Sequence, residues 1–393
     1  MSSIELGQVR AMAISNDASL GADPRDAPGG SFARQLLYAS HVARYDVVVR
    51  TEPSAKPVTR AASDRLHIRA VPASRSGFVV SGFRAALARA QHAETHIVSC
   101  SDTITMGLIG YLLKRRLGIA LNLQINGDFV DNPYWLGENR IYPAFNLLAR
   151  WLIRRADTLR VSTAAERRKY MEGWGLPAER VWNVPFHVDF SPFLHADGAG
   201  VRERLEIERV APLILFLGRL VKAKDLGILL RAMPTVIAYH PRTILVVAGS
   251  GPEDRPVREL ASELGIERSL RFLGRVPHLD VPALYAASDA FVLSSHYEGT
   301  SMVTLEAAAS GLPVVSTDVP GAPDAVLDGI SGLIVPRRDP AALAAALIAL
   351  LDDPDRAKEM GSRGRAHVLE RFEPHRIARQ MAELWLGTIR VAA

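Results

Sequence analysis

The chain has 393 residues, 48% of them hydrophobic and 23% charged, the composition of a soluble globular protein with too much chain for one core and enough for two domains. One cysteine, Cys100, excludes an intramolecular disulfide, fits a reducing compartment and is expected as a small buried hydrophobe. The formal charge of +5 is uneven: residues 1–195 carry 24 Lys and Arg against 17 Asp and Glu, and residues 196–393 carry 23 against 25.

The N-terminal string MSSIELGQVR lacks the basic-then-apolar order of a signal peptide, and no apolar run reaches the roughly 18 residues of a membrane span, so a cytoplasmic location is expected. The basic excess of the first half gathers at Lys114–Arg116, at Arg150, Arg154, Arg155 and Arg160, and at Arg167–Lys169. Solvated helix faces are one reading of these runs; attraction to an anionic membrane surface or a pyrophosphate-linked acceptor is the other. Nucleic acid is not an expected partner, because no aromatic residues interleave the basic ones. The histidines lack ligand spacing and Asp353 and Asp355 lie in a turn between helices, so no metal is expected.

In chain order, Val9–Ser15 reads as a first strand, followed by a Gly/Pro/Asp loop to Gly30 and a helix over Phe32–Arg44. Strands are expected at Asp46–Arg50, His96–Cys100, Leu121–Ile125 and Leu159–Ser162, with helices at Met106–Leu117 and Arg140–Arg155. The pattern loosens between Asn183 and Ala211, the candidate linker. It restarts with strands at Pro212–Leu217, Thr243–Ala248, Leu270–Leu273, Ala290–Leu293 and Pro313–Ser316, and helices at Lys224–Ala238 and Arg255–Leu264. Helices over Pro340–Leu351, Pro354–Arg371 and Pro374–Leu386 close the chain. Alternation of this kind implies parallel sheets covered by helices, with ligands at the carboxyl ends of the strands.

The most informative stretch is FVLSSHYEGTSMVTLEAAASGLPVVS, residues 291–316. Two apolar strands flank a helix expected over Thr300–Ser310, with Thr300 or Ser301 at its start and Gly311 and Pro313 at its end. Its residues leave almost no polar face, so it is expected to be buried nearly all round, with Glu306 as its only charge. A buried carboxylate needs an internal partner, such as a structural salt bridge, or a ligand. The first N–H groups of this helix form an anion site, placing a phosphate near Glu298 with Glu306 about a ribose length deeper. Arg219 and Lys224, between a strand end and a helix start, suit a second set of phosphate contacts; exposed basic residues beside a turn are the plainer reading.

The string EGTSMVTLEA resembles the signature of two glutamates separated by seven residues in retaining glycosyltransferases of family four. Upstream, FLGRLVKAKDLGILLRAM resembles the phosphate-binding segment of the same family, and the likeness is strongest over Leu213–Pro336. The resemblance implies an α/β chain of GT-B fold, with two Rossmann-like domains whose parallel sheets face each other across a cleft. Residues 1–190 would form the acceptor side, with 374–393 packing back on it, and 191–373 the donor side. It also implies a nucleotide-sugar donor, UDP- or GDP-linked, as substrate, with no cofactor and no metal, and transfer with retained anomeric configuration. Arg219 and Lys224 would hold the diphosphate, Glu298 would contact hydroxyls of the transferred sugar, and Glu306 would accept from the ribose hydroxyls. Gly299, Thr300, Ser301, Met302 and Val303 would offer backbone N–H groups to sugar and phosphate.

The turn at Gly249 and Gly251 lets a nucleotide approach the backbone, and Arg275 and Val276 match the family's nucleobase-contact position. Gly30 precedes a helix where donor phosphates or acceptor can pass close; a plain turn is the alternative. Asn126 stands where related sequences carry a histidine, and asparagine cannot titrate near neutral pH. Asp128 is placed to bind an acceptor hydroxyl. His187 occupies the position of a family Asn-Gly-Val-Asp string that here reads Phe186 to Asp189.

The expected function is sugar transfer to a glycan, lipid-linked or small-molecule acceptor in cell-surface polysaccharide or glycolipid synthesis, at the inner face of the membrane. A nicotinamide-dependent oxidoreductase is a rival class, but the first strand is not followed by G-x-G-x-x-G. A non-catalytic scaffold retaining the same shell is the other rival, suggested by Asn126.

Overall fold

The computed structural model describes residues 4–21 and 31–393, and Gly30 lies outside them. The chain divides into two compact units, one of Met1–Asp189 with Phe372–Ala393 and one of Phe190–Arg371.

The first unit contains β1 (Arg10–Ser15), β2 (Arg44–Thr51), β3 (Val58–Ala61), β4 (Leu66–Pro72), β5 (Ile97–Cys100), β6 (Ala120–Ile125), β7 (Thr158–Val161) and β8 (Val181–Asn183). Among the described residues they form one sheet in the order β3-β4-β2-β1-β5-β6-β7-β8, parallel except for the β3–β4 pair. The central strands are apolar on both faces because helices cover both; Val98, Cys100, Leu121, Leu123, Leu159 and Val161 are all fully buried. Cys100 is a packing residue, close enough to Gly110 that a β-carbon there would stand 2.4 Å from its sulfur.

Three elements of this unit do not follow from the sequence pattern. The helix expected over Phe32–Arg44 ends at Ser40, and Arg44 already belongs to β2. The antiparallel edge strand β3 has only intermediate or exposed residues, so it carries no apolar signal. The helix Arg75–His92, started by the Ser74 hydroxyl accepting from Gly77 N–H at 3.1 Å, is disguised by two glycines and small residues.

The last helix, Pro374–Ala392, completes this core. Its fully buried Trp385 packs on Tyr45, with ring centroids 4.9 Å apart, and edge-on to Tyr38 at 6.1 Å. Thr388 meets Thr158 hydroxyl to hydroxyl at 2.7 Å. A buried polar chain continues inward: Asn122 donates to Thr158, Ser99 to Asn122, and Gln124 to Ser99. Arg160, one of the basic residues read from sequence either as solvated helix face or as attracting an anionic surface or acceptor, is 4% exposed and ends this chain by donating to Gln124 Oε1 at 2.9 Å.

The second unit contains β9 (Leu213–Leu217), β10 (Ile244–Ala248), β11 (Leu270–Gly274), β12 (Ala290–Leu293), β13 (Val314–Thr317) and β14 (Gly332–Val335), all parallel in the order β11-β10-β9-β12-β13-β14. Order reverses at β9, which pairs with β10 on one side and β12 on the other. A crevice outside the carboxyl ends of β9 and β12 is therefore the place for a ligand.

Candidate functional site

The loops leaving β9 and β12 carry most of the residues singled out in the sequence. After β9, Arg219 is exposed and the turn Lys222–Lys224 delivers Lys224 just ahead of the helix Leu226–Tyr239, which starts two residues later than the sequence pattern predicts. After β12, Ser294 and Ser295 are fully buried, and residues 296–301 lead into the helix Met302–Ala309. The two loops are stitched together. His296 N–H donates to Ala223 O at 2.8 Å and the Ser294 hydroxyl to Lys224 O at 2.9 Å. His296 Nε2 lies 3.1 Å from Asp225 Oδ2. Burial pushes the Asp225 carboxyl up, and the imidazole opposes it.

Lys224 and Glu298, 74 residues apart, form a direct, largely buried ion pair. Among the described residues no side chain pairs with Arg219. A phosphate entering here meets one cation already held by a carboxylate and one cation with no partner; the ammonium's remaining donors stay available to it.

The helix Met302–Ala309 starts later than the pattern predicts and its entry differs from the expected cap. Ser301 is at the cap position, but its hydroxyl accepts from Thr304 Oγ1 at 2.9 Å and makes no cap bond to backbone. Met302 is 40% exposed, so the first turn opens to solvent while Thr304–Ala309 are buried. Among the described residues the N–H groups of Thr300, Ser301, Met302 and Val303 donate to no protein acceptor. The hydroxyls of Ser295 and Thr300 are buried without a hydrogen-bond partner in the same loop. Unsatisfied donors gathered at a helix start suit an anion or a polyhydroxylated ligand.

Glu306 is 8% exposed and has no basic partner, so the salt bridge weighed from sequence is not formed among the described residues. Its one hydrogen bond comes from Tyr285, whose hydroxyl lies 3.2 Å from Glu306 Oε2 and 2.9 Å from Val303 O. A phenol has one proton, so the shorter contact to Val303 competes for it. Desolvation by burial raises the Glu306 pKa to about 7, against the partial relief of that hydrogen bond. A ligand presenting two adjacent hydroxyls would supply what this carboxylate lacks.

Glycines set the backbone of the crevice. A β-carbon on Gly249 would stand 1.8 Å from Gly218 O, and one on Gly251 2.2 Å from Leu220 O, so both are needed for one loop to lie on the other. Gly249 N–H donates to Gly274 O at 2.7 Å, which puts the exposed Arg275 and the half-buried Val276 beside the same turn. Gly321, which sequence reasoning missed, buttresses the Glu298 loop: its N–H donates to Glu298 O at 3.3 Å, and a β-carbon there would stand 1.7 Å from Gly299 O. Tyr285 was missed too; it is fully buried between Phe193 and Phe291, and no local pattern connects it to Glu306.

Asn126, Asp128 and His187 belong to the first unit. Asn126, exposed after β6, donates to Ser101 O at 2.7 Å. Asp128 is held on both oxygens, by Lys169 at 2.7 Å and Asn132 at 2.9 Å. His187 is half-buried with Nδ1 unpartnered, and burial pushes its pKa down.

Both units have known relatives. The chain matches the model of glycosyl transferases group 1 over residues 201–367 and that of the glycosyl transferase 4-like domain over residues 29–187. It is 34% identical over 290 residues to D-inositol 3-phosphate glycosyltransferase of Thermobispora bispora, covering 71% of this chain and 68% of that protein. Among solved structures it is similar to sucrose-phosphate synthase from Thermosynechococcus elongatus, with a TM-score of 0.74 and 21% identity over 96% of this chain and 98% of the other. It is also similar to Anabaena HepE in complex with UDP-glucose, with a TM-score of 0.71 and 19% identity over 95% and 98%. The chain therefore belongs to the group 1 glycosyl transferases and has their GT-B fold.

Proposed function

We propose that the second unit binds a nucleoside diphosphate sugar and that the protein transfers the sugar, with retained anomeric configuration, to a hydroxyl of an acceptor held by the first unit. The observation that carries this reading is Glu306, a buried carboxylate with one contested hydrogen bond, on the helix that follows β12 at the strand-order reversal. A ribose diol supplies the missing donors. The diphosphate lies against Arg219, Lys224 and the N–H groups of Thr300–Val303, and Glu298 takes hydroxyls of the sugar. Gly251, Arg275 and Val276 line the base end.

As the bond from the anomeric carbon to the diphosphate breaks, its electron pair leaves on the diphosphate, and Arg219 and Lys224 stabilise that charge. The acceptor hydroxyl forms the new bond. Its proton goes to the departing diphosphate oxygen, which becomes basic as it gains the electron pair of the broken bond; Asn126 cannot take that proton near neutral pH.

UDP and GDP are the proposed nucleotides; HepE, a structural relative, is known with UDP-glucose. A glycan or lipid-linked acceptor at a cytoplasmic membrane surface is supported by the helix Tyr142–Arg155, where Leu147 is 68% and Trp151 37% exposed beside Arg154 and Arg155. Among the described residues no helix is long and apolar enough to cross a membrane.

The test is a binding and hydrolysis screen of UDP-, GDP- and ADP-sugars on the native protein, Glu306→Ala and Lys224→Ala. One donor stabilises the native protein and loses most of that effect in both variants. If no donor binds at millimolar concentration, the enzyme reading fails and a scaffold role replaces it. Inversion at the anomeric carbon of the product removes the retaining part alone.

A further inference from the structure

A cavity of about 150 Å³ lies at the carboxyl end of the first unit's sheet, where order reverses between β2 and β5 on either side of β1. That volume holds about five water molecules at roughly 30 Å³ each. Its walls are mixed: Ser15, Ser99, Ser101, Gln124 and Asn126 supply hydroxyls and amides and Arg34 and Arg160 supply charge, among aromatic and aliphatic side chains such as Tyr38, Tyr45 and Phe186.

Arg160 is the unusual member. It is 4% exposed, yet its three hydrogen bonds all go to neutral oxygens: Nε to Val184 O at 2.9 Å, Nη1 to Gln124 Oε1 at 2.9 Å and Nη2 to Pro185 O at 2.5 Å. A guanidinium has five N–H donors, so two are left without a protein acceptor among the described residues. The Phe186 ring, 4.8 Å away, covers one face. Asp17 is the sole carboxylate in the described cavity wall, and it pairs with Arg34 at 3.2 Å. Glu166 accepts from the N–H groups of Ser162 and Thr163 on Oε2, while its Oε1 is buried without a hydrogen-bond partner; it acts on Arg160 only through space and forms no ion pair with it. Burial, and the nearby Arg34 cation, push the Arg160 pKa down. The Glu166 carboxylate opposes that shift from a distance, and a buried cation without a directly paired carboxylate is costly.

We propose that this cavity is an anion subsite in which Arg160, assisted by Arg34, binds a phosphate or carboxylate group on a polyhydroxylated acceptor, whose neutral hydroxyls meet the surrounding serines and amides. The inference rests on the reading of the first unit as the acceptor side. It adds that the acceptor is anionic.

The test is calorimetric titration of the full chain with glycerol 3-phosphate, glycerate, phosphatidylglycerol vesicles and, as the uncharged control, glycerol. The native protein, Arg160→Gln, Arg34→Gln and Lys224→Ala are compared. At least one anionic probe binds saturably while glycerol does not, and the probe that binds identifies a soluble phosphate, a carboxylate or a lipid-borne phosphate. Affinity falls tenfold or more in Arg160→Gln, falls several-fold in Arg34→Gln, and is unchanged in Lys224→Ala. Should Arg160→Gln not fold, Arg34→Gln decides. No saturable anion binding, equal affinity in the folded variants, or loss in Lys224→Ala alone overturns the subsite. Nucleotide-sugar binding measured on the same native sample separates failure of the subsite from failure of the glycosyltransferase reading.

Discussion

Replacing Glu306 by glutamine is expected to stabilise the ligand-free second unit while weakening its hold on donor. The carboxyl moves from an ordinary pKa of 4.5 to about 7 on folding, because burial disfavours its charged form. At about 1.4 kcal/mol per pKa unit, that difference amounts to roughly 3 kcal/mol once the group is ionised in both states. The folded state holds the proton more tightly, so stability falls as pH rises. The penalty is absent below pH 4.5, grows between 4.5 and 7, and is complete above about 7. Glutamine fits the same space, keeps an oxygen for Tyr285 and carries no charge.

The assay is favoured by the distribution of tryptophan. All five, Trp135, Trp151, Trp174, Trp182 and Trp385, lie in the first unit. Tryptophan fluorescence therefore follows that unit, and circular dichroism follows both. At pH 8 the Glu306→Gln transition seen by dichroism alone rises by roughly 6–12 °C, the shift that ~3 kcal/mol produces in a unit of this size. At pH 5 the gain shrinks to under about 1 kcal/mol, and the fluorescence transition stays in place at both pH values. A gain that is the same at pH 5 and pH 8, or none at all, refutes the account of Glu306 as a desolvated, under-bonded carboxylate.

Gly321→Ala puts a β-carbon 1.7 Å from Gly299 O, so the loop carrying Glu298 must shift. Donor affinity is expected to fall tenfold or more and the second unit to lose about 1–3 kcal/mol, read as a lower dichroism transition with unchanged fluorescence. Trp385→Ala removes the ring packed on Tyr38 and Tyr45 and is expected to cost the first unit about 3–5 kcal/mol. The fluorescence transition of the remaining tryptophans falls, and donor-induced stabilisation of the second unit persists.

Residues 291–316 were legible because two apolar strands and a nearly uncharged helix leave a single carboxylate to explain. The parallel strands there pair as the pattern implies, Phe291 with Val314 and Leu293 with Ser316. The ion pair of Lys224 with Glu298 was not legible from spacing, since 74 residues separate them and the crossing of two loops brings them together. Tyr285 and Gly321 act through packing between distant segments, which leaves no periodic trace. The edge strand β3 hides because solvent takes the side chains that would otherwise be apolar. Arg160 did leave a signal. An arginine between Leu159 and Val161, inside an interior parallel strand, points toward a covered face, and composition alone grouped it with surface charge.

The first unit takes its final helix from the far side of the second unit in the chain. During synthesis β1–β8 emerge early, but Tyr38, Tyr45 and the Thr158 hydroxyl have no cover until Trp385 and Thr388 have been made. The second unit is contiguous and meets no such delay. At about 5–20 residues per second, the intervening stretch takes roughly 10–40 s to translate. Through that interval an eight-stranded sheet without its last helix, and so with an open apolar flank, is tethered to a neighbour still being made, the kind of species that chaperones capture or that aggregates. The half of the protein that is made first is the half that is finished last.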